Sequence, residues 1–64
     1  MQKTERYLTE TATANITGFA VQTLRNHRHE SKGIPYLKIG RSIRYRPADV
    51  AGYMEKTLII PEAN

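Results

Sequence analysis

The sequence predicts a small α+β domain built from three short helices and one two-stranded β-hairpin. Three observations carry that expectation. Apolar residues recur at helical spacing in three separate stretches, around residues 8–16, 20–27 and 50–58. A Gly and Pro break at Gly33-Ile34-Pro35 is followed by period-two alternation through Tyr36–Ile39 and Ile43–Arg46, the pattern of paired strands. The chain has 64 residues, enough for one modest core but not two, so a single domain over 1–64 with its core at about 7–58 is expected.

The first helix is expected over about Glu10 to Ile16. Thr9 is a suitable N-cap, Glu10 suits the positive helix end, and Leu8, Ala12 and Ile16 recur at i, i+4 and i+8. Gly18 is the natural left-handed stop, and a second periodic segment begins with Phe19 and Ala20 after a very short turn. Two helices joined so tightly must cross steeply. At 100° per residue, Ala20, Thr23, Leu24 and His27 fall on the core side of the second helix, whereas Val21, Gln22, Arg25, Asn26 and His29 fall on the other.

The hairpin is expected to reverse through Gly40-Arg41-Ser42, placing Leu37 and Ile39 on one face with Ile43 and Tyr45 and leaving Lys38, Arg44 and Arg46 outward. Pro47 suits the first turn of a third helix running to about Thr57, whose Val50, Tyr53, Met54 and Leu58 repeat toward the core. Gly52 costs that helix about 1 kcal/mol relative to Ala, so packing must hold it. The apolar run Leu58-Ile59-Ile60 is expected to cap the core, the alternative being contact with another protein or copy.

Composition narrows the function. Ten Lys and Arg against six Asp and Glu give a formal charge of +4. Seven of the basic residues lie between Arg25 and Arg46, a span with one acidic residue, Glu30. A cationic middle between near-neutral ends suits a polyanionic partner. The absence of cysteine removes disulfides and thiolate metal sites. A polar start and no long apolar run give an expectation of a cytoplasmic protein without a membrane segment.

No catalytic or cofactor pattern competes with binding. His27 and His29 point about 200° apart on a helix and cannot share a metal. The glycines around Lys38 lack phosphate-loop order, and Asp49 and Glu55 have no partner group for acid–base work. A chain of this size leaves little room for a ligand cleft, so neither enzyme activity, cofactor nor small-molecule ligand is expected.

What remains is a helix whose outer face offers Gln22, Arg25 and Asn26, side chains that match base edges in a major groove: Gln and Asn for adenine, Arg for guanine. The expected DNA-binding residues on this helix are Val21, Gln22, Thr23, Arg25, Asn26, Arg28 and His29. Those of the hairpin, acting as a wing on an adjacent groove or its phosphates, are Lys38, Arg41, Ser42, Arg44 and Arg46.

The residues Leu8-Thr9, Ala14, Ile16, Gly18, Thr23-Leu24-Arg25, Gly33-Ile34-Pro35, Lys38-Ile39-Gly40-Arg41 and Tyr45-Arg46, with a closing helix, resemble the excisionase and AlpA-type helix-turn-helix domains, relatives of the MerR winged-helix group. The resemblance covers about Tyr7 to Leu58 and is most specific from Gly33 to Arg46. It implies a winged helix-turn-helix fold in a small bacterial, phage or mobile-element protein that binds double-stranded DNA. It further implies an integrase and further copies of the chain as partners, with a role in directing excision; other members of the family are transcriptional regulators. A protein-interaction module using the same basic face is the reading from a different class. The chain departs from the pattern at Ala20, where Ser or Thr usually caps, and at His27, where an aromatic is common. Loss of a cap costs ~1 kcal/mol, so either Thr17 caps in its place or the helix starts loosely.

Overall fold

A computed structural model describes residues 7–61. It contains α1 (Glu10–Thr17), α2 (Val21–His29), β1 (Leu37–Ile39), β2 (Ser42–Arg44) and α3 (Pro47–Lys56) in that order. The architecture is a winged helix-turn-helix: α1 and α2 joined by a three-residue turn, an antiparallel hairpin wing, and a closing helix. No helix among the described residues is long and apolar enough to cross a membrane.

Thr9 caps α1, its Oγ1 accepting from the Ala12 amide at 3.0 Å, and Gly18 ends it with φ +83° while its amide donates to the Ala14 carbonyl. The expected stripe Leu8, Ala12, Ile16 is not the buried one. Leu8 lies before the helix and exchanges both backbone bonds with Tyr45, at 2.7 and 2.8 Å, so it is out of helical phase, and Ile16 is exposed. The buried face runs through Thr13 and Ala14 instead. Thr13 fits there because its hydroxyl donates to the Thr9 carbonyl at 2.8 Å, which satisfies the polar atom within the helix.

The faces of α2 fall as expected, with Leu24 buried, Thr23 and His27 half-buried and Gln22, Arg25, Asn26 and His29 exposed, except at the start of the helix. Ala20 is the N-cap and exposed, while Val21 is half-buried and packs on the core beside Leu24. Thr17 does not cap α2: its hydroxyl accepts from the Phe19 amide, within the turn, and Ala20 makes no side-chain cap bond. The helix ends in a Schellman arrangement in which Lys32 N–H donates to the His27 carbonyl and Ser31 N–H to that of Arg28, with Ser31 at φ +57°. The chain then folds back through Gly33, φ +88°, where a Cβ would stand 2.8 Å from His27 Cβ.

The hairpin register pairs Leu37 with Arg44, Lys38 with Ile43 and Ile39 with Ser42. The loop is therefore Gly40-Arg41, one residue shorter than expected, and the slip leaves Ile43 and Tyr45 on the core face but puts Leu37 and Ile39 on the other. Ile43 shares a face with Lys38, not with Leu37, and Ile39 at the tip is 58% exposed. Of the two loop residues only Gly40 has positive φ, +61°, which suits a II′ rather than a I′ turn.

Ala14, Leu24, Ile34, Tyr45 and Val50 form the core, with Leu8, Phe19, Val21, Ile43 and Tyr53 packed against it. Phe19 meets His27 and Tyr53 edge-on at 5.7 and 6.3 Å, tying the turn to α2 and α3. Met54 is 37% exposed. Leu58, Ile59 and Ile60, expected to cap the core, are exposed; they follow the end of α3 at Lys56 and take no part in the core cluster.

Candidate nucleic-acid interface

Gln22, Arg25, Asn26 and His29 are exposed along one side of α2. Gln22 Nε2 donates to Asn26 Oδ1 at 3.0 Å, a bond across one helical turn. That bond leaves the Gln22 carbonyl oxygen and the Asn26 amide nitrogen available, an acceptor and a donor of the two kinds that adenine's major-groove edge pairs with. Thr23 is half-buried at the border of this face, and Val21 belongs to the core rather than to the reading surface.

Arg25 and Arg28 converge on one carboxylate. Arg25 Nε and Nη2 donate to the two oxygens of Glu10 at 3.1 and 3.0 Å, and Arg28 Nη2 donates to Glu10 Oε2 at 2.8 Å. The Arg25 side chain remains 55% exposed, but that of Arg28 is only 15% exposed. Arg28 Nη1 donates to the buried Tyr45 hydroxyl at 2.7 Å, and its guanidinium lies 5.7 Å from the Tyr36 ring centre. Arg28, expected among the DNA contacts, is thus turned inward and ties α2 to the wing and to α1. The bonds from Arg25 and then Arg28 lower the Glu10 carboxyl to about 2, against a modest opposing effect of burial, so it is ionised throughout the neutral range.

On the wing, Lys38, Arg41 and Ser42 are exposed, Arg41 at the tip. Arg44 is half-buried and donates from Nη1 to the Ile43 carbonyl at 2.8 Å. Arg46 stands at the start of α3, exposed and paired with Asp49, whose carboxylate raises the guanidinium's pKa further. It is set apart from the tip residues by that pairing.

The tertiary structure brings Arg25 and Arg28 of α2 together with Arg41, Ser42 and Arg44 of the wing. A concave surface between the start of α1, α2 and the wing is lined by Glu10, Arg25, Arg28, Arg41, Ser42 and Arg44, with Thr9, Thr11 and Ile43. Four guanidiniums thus share one surface with a single carboxylate, Glu10, which Arg25 and Arg28 contact directly. Glu10 was legible in the sequence only as a residue favouring a helix start. Its partners lie 15 and 18 positions away, and no local spacing signals such a contact. Among the described residues no three His, Asp or Glu side chains gather as a metal site would require.

Comparison with known proteins agrees with the geometry. A family model described as a helix-turn-helix domain matches residues 7–57, four-fifths of the chain. No curated protein and no solved structure gives a significant match.

Proposed function

The chain belongs to the helix-turn-helix domain family, and from that premise we propose that it is a sequence-specific double-stranded DNA-binding protein that reads bases with the outer face of α2 and grips the backbone with its wing. The observation that carries this reading is that Arg25, on the exposed face of α2 that also bears Gln22 and Asn26, shares one concave cationic surface with Arg41 and Arg44 of the wing. A helix presenting such side chains fits the major groove of B-DNA, and a thin projection beside it reaches the neighbouring groove or its phosphates. The role is binding without catalysis. The one carboxylate lining the concavity, Glu10, is already held by Arg25 and Arg28, and no histidine among the described residues lines it to serve as acid or base.

Within that function we propose the role of a recombination directionality factor, which binds repeated sites in an attachment region, bends the DNA and favours integrase-mediated excision. Support comes from the resemblance of Gly33-Ile34-Pro35, Lys38-Ile39-Gly40-Arg41 and Tyr45-Arg46 to excisionases. The test is a footprint and bend assay on DNA flanking the protein's own gene, with non-specific competitor at physiological salt. Protected, bent repeats beside an integrase site are expected. A single unbent footprint at a promoter would replace this role with transcriptional regulation, and absence of specific protection would overturn DNA reading in favour of a protein-interaction module.

A further inference from the structure

We propose that Glu10 is a positioning and specificity-determining residue: by gripping one edge of the Arg25 guanidinium it presents the opposite edge to a guanine in the major groove. The inference rests on the DNA-binding reading above and adds a residue from a different helix that decides which base is read.

The geometry is that of a buttressed fork. Glu10 takes the Nε and Nη2 hydrogens along one side of the guanidinium, at 3.1 and 3.0 Å. A guanidinium has five N–H groups in a plane, so three remain, two on Nη1 and one on Nη2. One from each terminal nitrogen forms a parallel pair, the arrangement that bonds guanine O6 and N7 together. With its side chain 55% exposed, Arg25 can offer that edge to a partner.

The carboxylate is itself anchored to the core. Arg28 bonds Glu10 at 2.8 Å and Tyr45 at 2.7 Å, and Tyr45 is 1% exposed. Orientation therefore passes from the buried Tyr45 through Arg28 and Glu10 to Arg25. A long side chain tethered in this way loses less conformational freedom on docking than a free one. Glu10 also stays ionised far below neutral pH, so the anchor persists under any ordinary binding condition.

A carboxylate on a surface facing phosphates acts in a second direction, because its charge opposes every DNA sequence alike. This allows buttressing to be separated from simple competition, in which Glu10 merely occupies Arg25 until phosphate displaces it. Buttressing makes Glu10 favour one base pair over others; competition makes it weaken all sequences equally.

The experiment begins with selection of the preferred duplex from random sequences by the full chain. Affinities of wild type, Glu10→Gln, Arg25→Ala and the double variant are then measured on that duplex and on each of its single-base-pair variants at fixed salt. Far-UV circular dichroism verifies folding at the assay temperature. A bidentate arginine–guanine pair contributes roughly 5- to 150-fold discrimination. Glu10→Gln is expected to reduce discrimination about fivefold or more at one G·C position, leave the other positions unchanged, and leave non-specific affinity equal or higher. Arg25→Ala should flatten the same position, and the double variant should go no further. Glu10→Asp, which keeps the charge but withdraws it by one methylene, should show the same single-position loss and carries the test if Glu10→Gln is unfolded. An unchanged profile in the folded variant, or a uniform rise in affinity for all duplexes, overturns the inference. Failure of the wild-type chain to select any sequence overturns the DNA-reading function itself.

Discussion

Replacing Gly33 with alanine should destabilise the protein more than the same change at any of its other glycines with positive φ. Two effects combine there. The backbone sits at φ +88°, where an L-residue with a Cβ costs about 1–2 kcal/mol. The new Cβ would also stand 2.8 Å from both Cβ and Nδ1 of His27 and 3.0 Å from its Cγ, closer than carbon atoms pack without displacement. Relieving such overpacking typically costs about 1–3 kcal/mol, and part of the contact is with a Cβ that rotation about χ1 cannot move. A total of roughly 2–5 kcal/mol follows, against an overall stability of about 3–10 kcal/mol for a chain of this length. At about 4–8 °C per kcal/mol, the Tm should fall by roughly 10–40 °C. Gly18 and Gly40 provide the comparison, with φ of +83° and +61° and nothing within 4 Å of an added Cβ. Their alanine variants should show only the backbone component, about 1–2 kcal/mol. Urea and thermal unfolding followed by circular dichroism measure all three, and NMR contacts between His27 and Phe19, whose rings meet at 5.7 Å, should weaken only in Gly33→Ala. If Gly33→Ala matched Gly40→Ala within about 0.5 kcal/mol, steric closure of the turn against His27 would be refuted.

Tyr45→Phe removes the acceptor that Arg28 uses at 2.7 Å and should cost about 1.5–3 kcal/mol, the range for a bond to a charged group, read as a lowered urea midpoint with an unchanged m-value. The depressed Glu10 carboxyl makes stability pH-dependent in acid. Its contribution is complete above the ordinary value of 4.5 and is lost as pH falls toward about 2, so thermal scans between those limits should show a decline that Glu10→Gln flattens. Arg41→Ala, at the exposed wing tip, should leave the Tm unchanged but weaken all DNA sequences alike and reduce the salt slope of binding by about 0.9, measured by titration at several salt concentrations. Truncation after Thr57 removes Leu58, Ile59 and Ile60, which are 62%, 84% and 77% exposed; the Tm should move little, and a large fall would restore the core-capping role.

Local chemistry accounts for how much of this protein was legible in its sequence. Thr9 and Gly18 bracket α1, Pro47 opens α3 and Gly40 turns the hairpin because capping oxygens, left-handed backbone and a pre-set φ act within a few residues. The order of elements and the winged helix-turn-helix class follow from such signals. So does the polar face carrying Gln22, Arg25 and Asn26, since helical periodicity needs only the sequence.

Phase and partnership were decided elsewhere. Whether Ala20 or Val21 is the first buried residue of α2 depends on where the helix starts, and no cap residue marks that point. A one-residue difference in the hairpin loop took Leu37 and Ile39 off the face that Ile43 and Tyr45 turn to the core, because strand side chains alternate with period two. The roles of Arg25 and Arg28 diverged for a reason no local pattern contains. Both are cationic and three positions apart, yet folding placed Arg28 between Glu10 and Tyr45 and left the outer edge of Arg25 to solvent. The sequence alone determined the elements, their order and the cationic character of one surface. Only the tertiary structure decided which of those cations hold the fold and which are free to meet DNA, because that choice depends on contacts between residues 15 to 18 positions apart.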